Sequence, residues 1–256
     1  MTNWNDIHIS GGGKISGGRC GNVNISGSGK IQGDLECESF HVSGAGKVED
    51  GNLTVHGPLA CSGAAKVEGS VSAVSARVSG SLHTAGSASF DESLAISGSF
   101  HAEGDVKAGK LSASGVCKTT GSISGNEITV SGVLKTEKDV QAERFYSSGA
   151  LSIDGLLNAE NVEIWLSGDS MVHTIGGGKV SVKKKSGSFV IIGFKRRNHL
   201  TSALIEADEI DLEYTDCETV RGVDVHIGPE CVIDRVEYSG TLTTDPNCTV
   251  REKVKI

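Results

Sequence analysis

Proline is nearly missing from this chain, with 3 in 256 residues, and Phe, Tyr and Trp together make only 4%. So little proline, with no glycine at every third position, excludes a collagen-like helix. Two Trp, three Tyr and six Phe are too few for an aromatic-centred core in a chain of this length. No apolar run approaches the ~18 residues of a membrane span. The opening Met1-Thr2-Asn3-Trp4-Asn5-Asp6 lacks the basic region and apolar stretch of a signal peptide. A soluble, cytoplasmic protein is therefore expected. The 7 Cys are odd in number and form no CxxC pair. They fit reduced thiols better than a disulfide framework or a zinc site. What the chain has in excess is glycine, 35 residues, about twice the usual share of ~7%.

The glycines are not scattered. Ser-Gly recurs with its serine at 10, 26, 43, 62, 79, 97, 114, 131, 148 and 167, a mean spacing near 17.4 residues. The flanking residues keep step. Three and one residues before the serine stand Ile7/Ile9, Val23/Ile25, Phe40/Val42, Leu59/Cys61, Ala76/Val78, Leu94/Ile96, Leu111/Ala113 and Ile128/Val130. That alternation is the mark of a strand with one buried face. Three and five residues after it a second inward pair begins small-then-branched, as in Gly29/Ile31, and changes to large-then-small, as in Phe100/Ala102. The summed volume is roughly kept, as a close-packed interior requires. A third pair follows, such as Leu35/Cys37 and Val106/Ala108.

Three short strands and glycine corners in about 17 residues predict an all-β fold, a three-sided parallel β-helix whose turns stack ~4.8 Å apart. The spacing does not fix its hand. It also aligns two cysteine pairs, Cys20 with Cys37 and Cys231 with Cys248, each 17 apart. These read as inward thiol ladders. The solenoid is expected over 1–169 and again over 206–256.

Between them, over 170–205, the pattern lapses. Lys179-Val-Ser-Val-Lys-Lys-Lys185 and Phe189-Val-Ile-Ile-Gly-Phe194 flank Ser186-Gly187-Ser188, and predict an inserted β-hairpin. Lys179, Lys183, Lys184, Lys185, Lys195, Arg196 and Arg197 give this stretch +7 with no acid, and leave 17 basic against 32 acidic residues, −15, for the rest. Lys183, Lys184, Lys185, Lys195, Arg196 and Arg197 are thus candidates for contact with an anionic surface such as lipid headgroups. The alternative is a solvated hairpin. Nucleic acid is not expected, since the net charge is −8 and no aromatics interleave the basic residues.

A basic column is expected four residues after each Ser-Gly serine: Lys14, Lys30, Lys47, Lys66, His83, His101, Lys118 and Lys135. Glu49, Glu68, Glu103 and Glu137 stand two residues further on, so the face reads as either an anion-binding stripe or a self-neutralised ladder. No catalytic elbow, phosphate loop or metal-ligand spacing occurs, so neither catalysis, a cofactor nor a metal is expected.

The Ser-Gly-x-x-Lys/His-x-x-Gly turns of residues 7–165, with Val220-x-Gly-x-x-Val-x-Ile-Gly-Pro-x-Cys-x-Ile-Asp-x-Val-Glu-Tyr238, resemble the bactofilins, bacterial polymer-forming cytoskeletal proteins. The resemblance covers most of the chain apart from the basic stretch. It implies a right-handed β-helix, nucleotide-independent filaments, and a scaffolding role near the cell envelope that organises cell-shape machinery. It also implies envelope-associated partner proteins and a place at the inner face of the cytoplasmic membrane. The residues expected at the polymerising ends are Ile7 and Ile9, and the alternating Val250, Val254 and Ile256. The other readings are a β-helix enzyme acting on polysaccharide or transferring an acyl group, and a monomeric binding module.

Overall fold

The computed structural model describes residues 4–185 and 198–256. All its regular structure is β-strand, wound as a parallel β-solenoid with roughly 17-residue spacing. The chain divides into two compact units, Met1–Gly125 and Asn126–Ile256.

In the first unit the inward positions stack on themselves turn after turn. One buried column runs Ile9, Ile25, Val42, Cys61, Val78, Ile96, Ala113 through in-register parallel pairing. A typical turn uses Leu53–Cys61, broken in register between Val55 and Pro58, then Ala64–Val67. That makes three strand runs, as the sequence predicts. Size is traded between neighbouring columns: where Gly29 and Gly46 leave room, Ile31 and Val48 fill it, and where Phe100 enters, Ala102 stands aside. Phe90 and Phe100 meet edge to face, 6.3 Å apart. Two core threonines satisfy their hydroxyls on corner carbonyls, Thr84 on Gly69 at 2.6 Å and Thr119 on Gly104 at 2.5 Å.

The Ser-Gly corner works by a shared acceptor. The N–H groups of Ser79 and Gly80 both donate to the Cys61 carbonyl, at 2.9 and 3.0 Å, and those of Ser97 and Gly98 donate to Val78, at 2.8 and 3.1 Å. This draws successive corners so close that a Cβ on Gly98 would lie 2.0 Å from the Gly80 oxygen. At another corner a side chain caps the turn that follows: Asp34 accepts from the Asn52 N–H at 2.7 Å, and Asn52 from that of Ser70 at 2.8 Å.

The second unit coils by the same rule. Ala150–Leu166 pairs with Ser170–Lys184, that strand with Leu200–Leu212, and that with Thr215–Ile227, all parallel. This corrects the expected insertion over 170–205. Ser170–Lys184 and the residues from Leu200 onward are solenoid turns, with Val172, Ile175, Val180 and Val182 buried. Lys179-Val-Ser-Val is no hairpin arm, because Val180 and Val182 stack between Val162/Ile164 and Ile210/Leu212. The other expected arm, 189–194, and its turn lie outside the described residues.

Candidate functional site

The first turn is only partly covered among the described residues. Ile7 and Ile15 are half-buried and Ile9 is 8% exposed. Ile7–Ile9 pairs with Gly12–Ile25 on one side, and among the described residues nothing pairs with its other side. The corner at Ser10-Gly11 repeats the shared-acceptor geometry with its acceptor missing. Ser26 and Gly27 donate to the Ile9 carbonyl at 2.9 and 3.0 Å, whereas the N–H groups of Ser10 and Gly11 have no partner among the described residues. The third side is covered: the Gly21 N–H donates to the Asn5 carbonyl at 2.9 Å, that of Asn22 to the Asp6 carboxylate at 2.7 Å, and Trp4 meets the Arg19 guanidinium 5.9 Å from its ring centre.

At the last described turn, Val225 and Ile227 are followed in register by Leu242 and Thr244, Ile233 by Val250, and Val236 by Lys253. The set expected here, Val250, Val254 and Ile256, lies in this turn but not in one column. Val250 stands in a core column. Val254 instead follows Glu237, and Ile256 is 66% exposed. Simple alternation fails because Ile233 and Val236, three residues apart, both face inward across a corner. The corresponding step in the last turn puts Lys253, not Val254, in the column, where its Nζ reaches Thr244 Oγ1 at 3.4 Å.

Two lysines of the basic stretch are ion-paired by the turn stacked on it. Lys179 bonds Glu209 at 2.7 Å, and Lys183 bonds Asp211 at 3.0 Å. The Asp211 hydrogen bond raises the Lys183 pKa. Lys184 lies 4.3 Å from the centre of the Tyr214 ring, and its N–H donates to Glu213 at 3.3 Å. Lys185 is exposed, and its N–H closes the corner on the Leu166 carbonyl. Lys195, Arg196 and Arg197 lie outside the described residues.

Cys20 and Cys37 pair in register and are buried; burial, before any other cause, pushes the Cys37 thiol up to about 12. Such a thiol is a poor nucleophile or ligand at neutral pH. Among the described residues no group of three or more His, Cys, Asp or Glu is arranged to hold a metal ion. A groove of about 880 Å³ lies in the second unit over Gly176–Gly178, rimmed by Leu156, Glu206, Arg221 and Val223. The glycine triplet was its signal in the sequence, read there as part of the lapse. Among the described residues no helix is long and apolar enough to cross a membrane.

The chain is 43% identical over 105 residues to the uncharacterized protein YhbE of Bacillus subtilis, covering 41% of this chain and 44% of that one. It is 37% identical over 103 residues to the uncharacterized protein YhbF of the same organism, covering 40% and 42%. The chain thus spans less than half the length of these relatives. No family model matches it, and no solved structure does.

Proposed function

We propose that the chain is a structural scaffold of the bactofilin kind, whose copies stack end to end into filaments without a nucleotide. The observation that carries this reading is the Ser10-Gly11 corner, whose two N–H groups have no partner among the described residues, beside the half-buried Ile7 and Ile15. Leu242 and Thr244 continue the buried columns that pass through Val225 and Ile227, and stand three and one residues before their corner, as Ile7 and Ile9 do before theirs. A neighbouring copy's Thr244 carbonyl would then fill the Ser10-Gly11 seat as the Ile9 carbonyl fills that of Ser26-Gly27. Lys253 on one tip and the Trp4–Asp6 segment on the other make the third side polar, so two sides carry the contact. Completing the burial of Ile7 and Ile15 contributes about 1 kcal/mol each.

Contact with envelope-associated proteins and with anionic lipid at the cytoplasmic membrane belongs to the same proposal. Lys183 is held by Asp211 and Lys184 lies over the Tyr214 ring, which leaves that contact to other basic residues. Electron microscopy of the protein at micromolar concentration tests the assembly. Filaments are expected for the wild type and short or no polymers for Ile7→Lys, with the β signal in circular dichroism kept. A uniformly monomeric wild type contradicts the proposal.

A further inference from the structure

One outward column of the first unit carries cationic or ionisable groups on seven successive turns: Lys14, Lys30, Lys47, Lys66, His83, His101, Lys118. Parallel pairing sets these rungs ~4.8 Å apart. The column has two halves. In the first, Glu49 lies 3.9, 3.4 and 3.0 Å from Lys14, Lys30 and Lys47, and Lys47 also holds Glu68 at 2.8 Å. That half is a closed ion-pair ladder. Over the second half the acidic flank reads Glu68, Ala85, Glu103, Thr120. Glu68 is drawn to Lys47, and Glu103 stands 3.4 Å from His83. Lys66, His101 and Lys118 have no carboxylate within ion-pair distance among the described residues.

On the other flank the same four rungs present Ala64, Ser81, Ser99 and Val116, small or uncharged and exposed. Nothing there competes for an anion, and the two serines add hydroxyl donors. The rings of His83 and His101 meet edge to face, 4.9 Å apart. Burial, then His83, then Lys118 hold His101 below the ordinary imidazole range, against a smaller opposing pull from Glu103. At neutral pH His101 is therefore uncharged beside Lys118. Protonation of His101 on acidification adds a cation between the His83 ring and Lys118, with Glu103 as the near carboxylate.

We propose that Lys66, His83, His101 and Lys118 form a pH-gated docking stripe for an extended anionic polysaccharide, a polymer of uronic acid rings lying across the turns. Carboxylates on the side of the chain that faces the protein meet the cations of the rungs, and ring hydroxyls meet Ser81 and Ser99. A nucleic acid fits less well, because no exposed Phe, Tyr or Trp stands in or beside these rungs to stack a base. Raising salt weakens the contact, as for any polyelectrolyte. The stripe lies within the first unit and does not depend on end-to-end stacking.

The test is isothermal titration of the whole protein with polygalacturonate at about pH 7.5 and about pH 5.5, where its carboxylates stay ionised and histidine changes charge. Binding is expected to tighten about tenfold or more at the lower pH. His83→Gln with His101→Gln should remove that gain and leave the weaker binding at neutral pH. Lys66→Glu with Lys118→Glu should abolish binding at both, with the β signal unchanged. The proposal is overturned if the wild type does not bind at pH 5.5, or if the lysine variant binds as tightly as the wild type. It is equally overturned if the histidine variant keeps the pH gain, if neutral dextran binds as well, or if single-stranded DNA binds more tightly than polygalacturonate.

Discussion

The corners of the first unit and those late in the second close the same kind of coil with different chemistry. From Ser26 to Gly115 each Ser-Gly corner hangs two N–H groups on one carbonyl, and close approach forbids a side chain at the glycine. After Gly168 the corresponding corners are Lys185, Glu213, Gly228 and Asp245, whose N–H groups donate to Leu166, Val182, Leu212 and Ile227, with no second N–H on those carbonyls among the described residues. Chain direction at another corner is set there by non-glycine residues in the left-handed region: Asn198 at φ 48°, Tyr214 at 49° and Glu230 at 57°. Register nevertheless continues unbroken through Val182, Leu212 and Ile227. The difference teaches that stacked apolar columns define the turn, and that the glycine corner is one way of closing it.

The sharpest way to break this comparison is a methyl group. Gly98→Ala places a Cβ 2.0 Å from backbone oxygen and should cost about 3 kcal/mol or more, read by thermal or denaturant unfolding. The reverse change sharpens it. Glu230→Gly relieves a left-handed conformation costing ~1–2 kcal/mol, offset in part by glycine's greater unfolded entropy, so a gain of about 0.5–1 kcal/mol is expected. If both substitutions prove neutral, the two corner types are not physically distinct.

The smallest effect concerns charge. Glu237 is bonded by Arg221 and Arg235, each at 2.7 Å, and these two, Arg221 first, hold its pKa below the usual carboxylate range. With the folded pKa below the unfolded one, the stabilisation is present above the unfolded value of ~4.3 and is lost as pH falls through the folded value. Glu237→Gln should slightly flatten the fall in melting temperature on that acid limb. A steeper fall than in the wild type contradicts the assignment. Both arginine partners are more than two-fifths exposed, so solvent screening keeps the change small.

The first unit was legible because its strands, corners and columns repeat at one spacing, so Ile9, Ile25 and Val42 can be aligned without a structure. The stretch 170–184 was not. Its alternation is interrupted by Gly176–Gly178, and its charge looks unopposed in any local window. Its counter-charges, Glu209, Asp211 and Glu213, lie about 30 residues on because Lys179 pairs with Glu209 across the intervening segment. The last turn was half legible for a related reason. Alternation finds Val250, but a corner consumes a residue before Val254, so the column goes to Lys253. Local periodicity shows which residues can face inward within a strand; it does not count the residues a corner uses.

Cross-linking across the proposed junction tests end-to-end stacking most directly. With Ile9→Cys and Thr244→Cys in one chain, mild oxidation should give a ladder of covalent oligomers on a non-reducing gel. The parent protein and each single variant should give no such ladder. A double variant that stays monomeric under these conditions, while its parent forms filaments, would contradict stacking through these two turns.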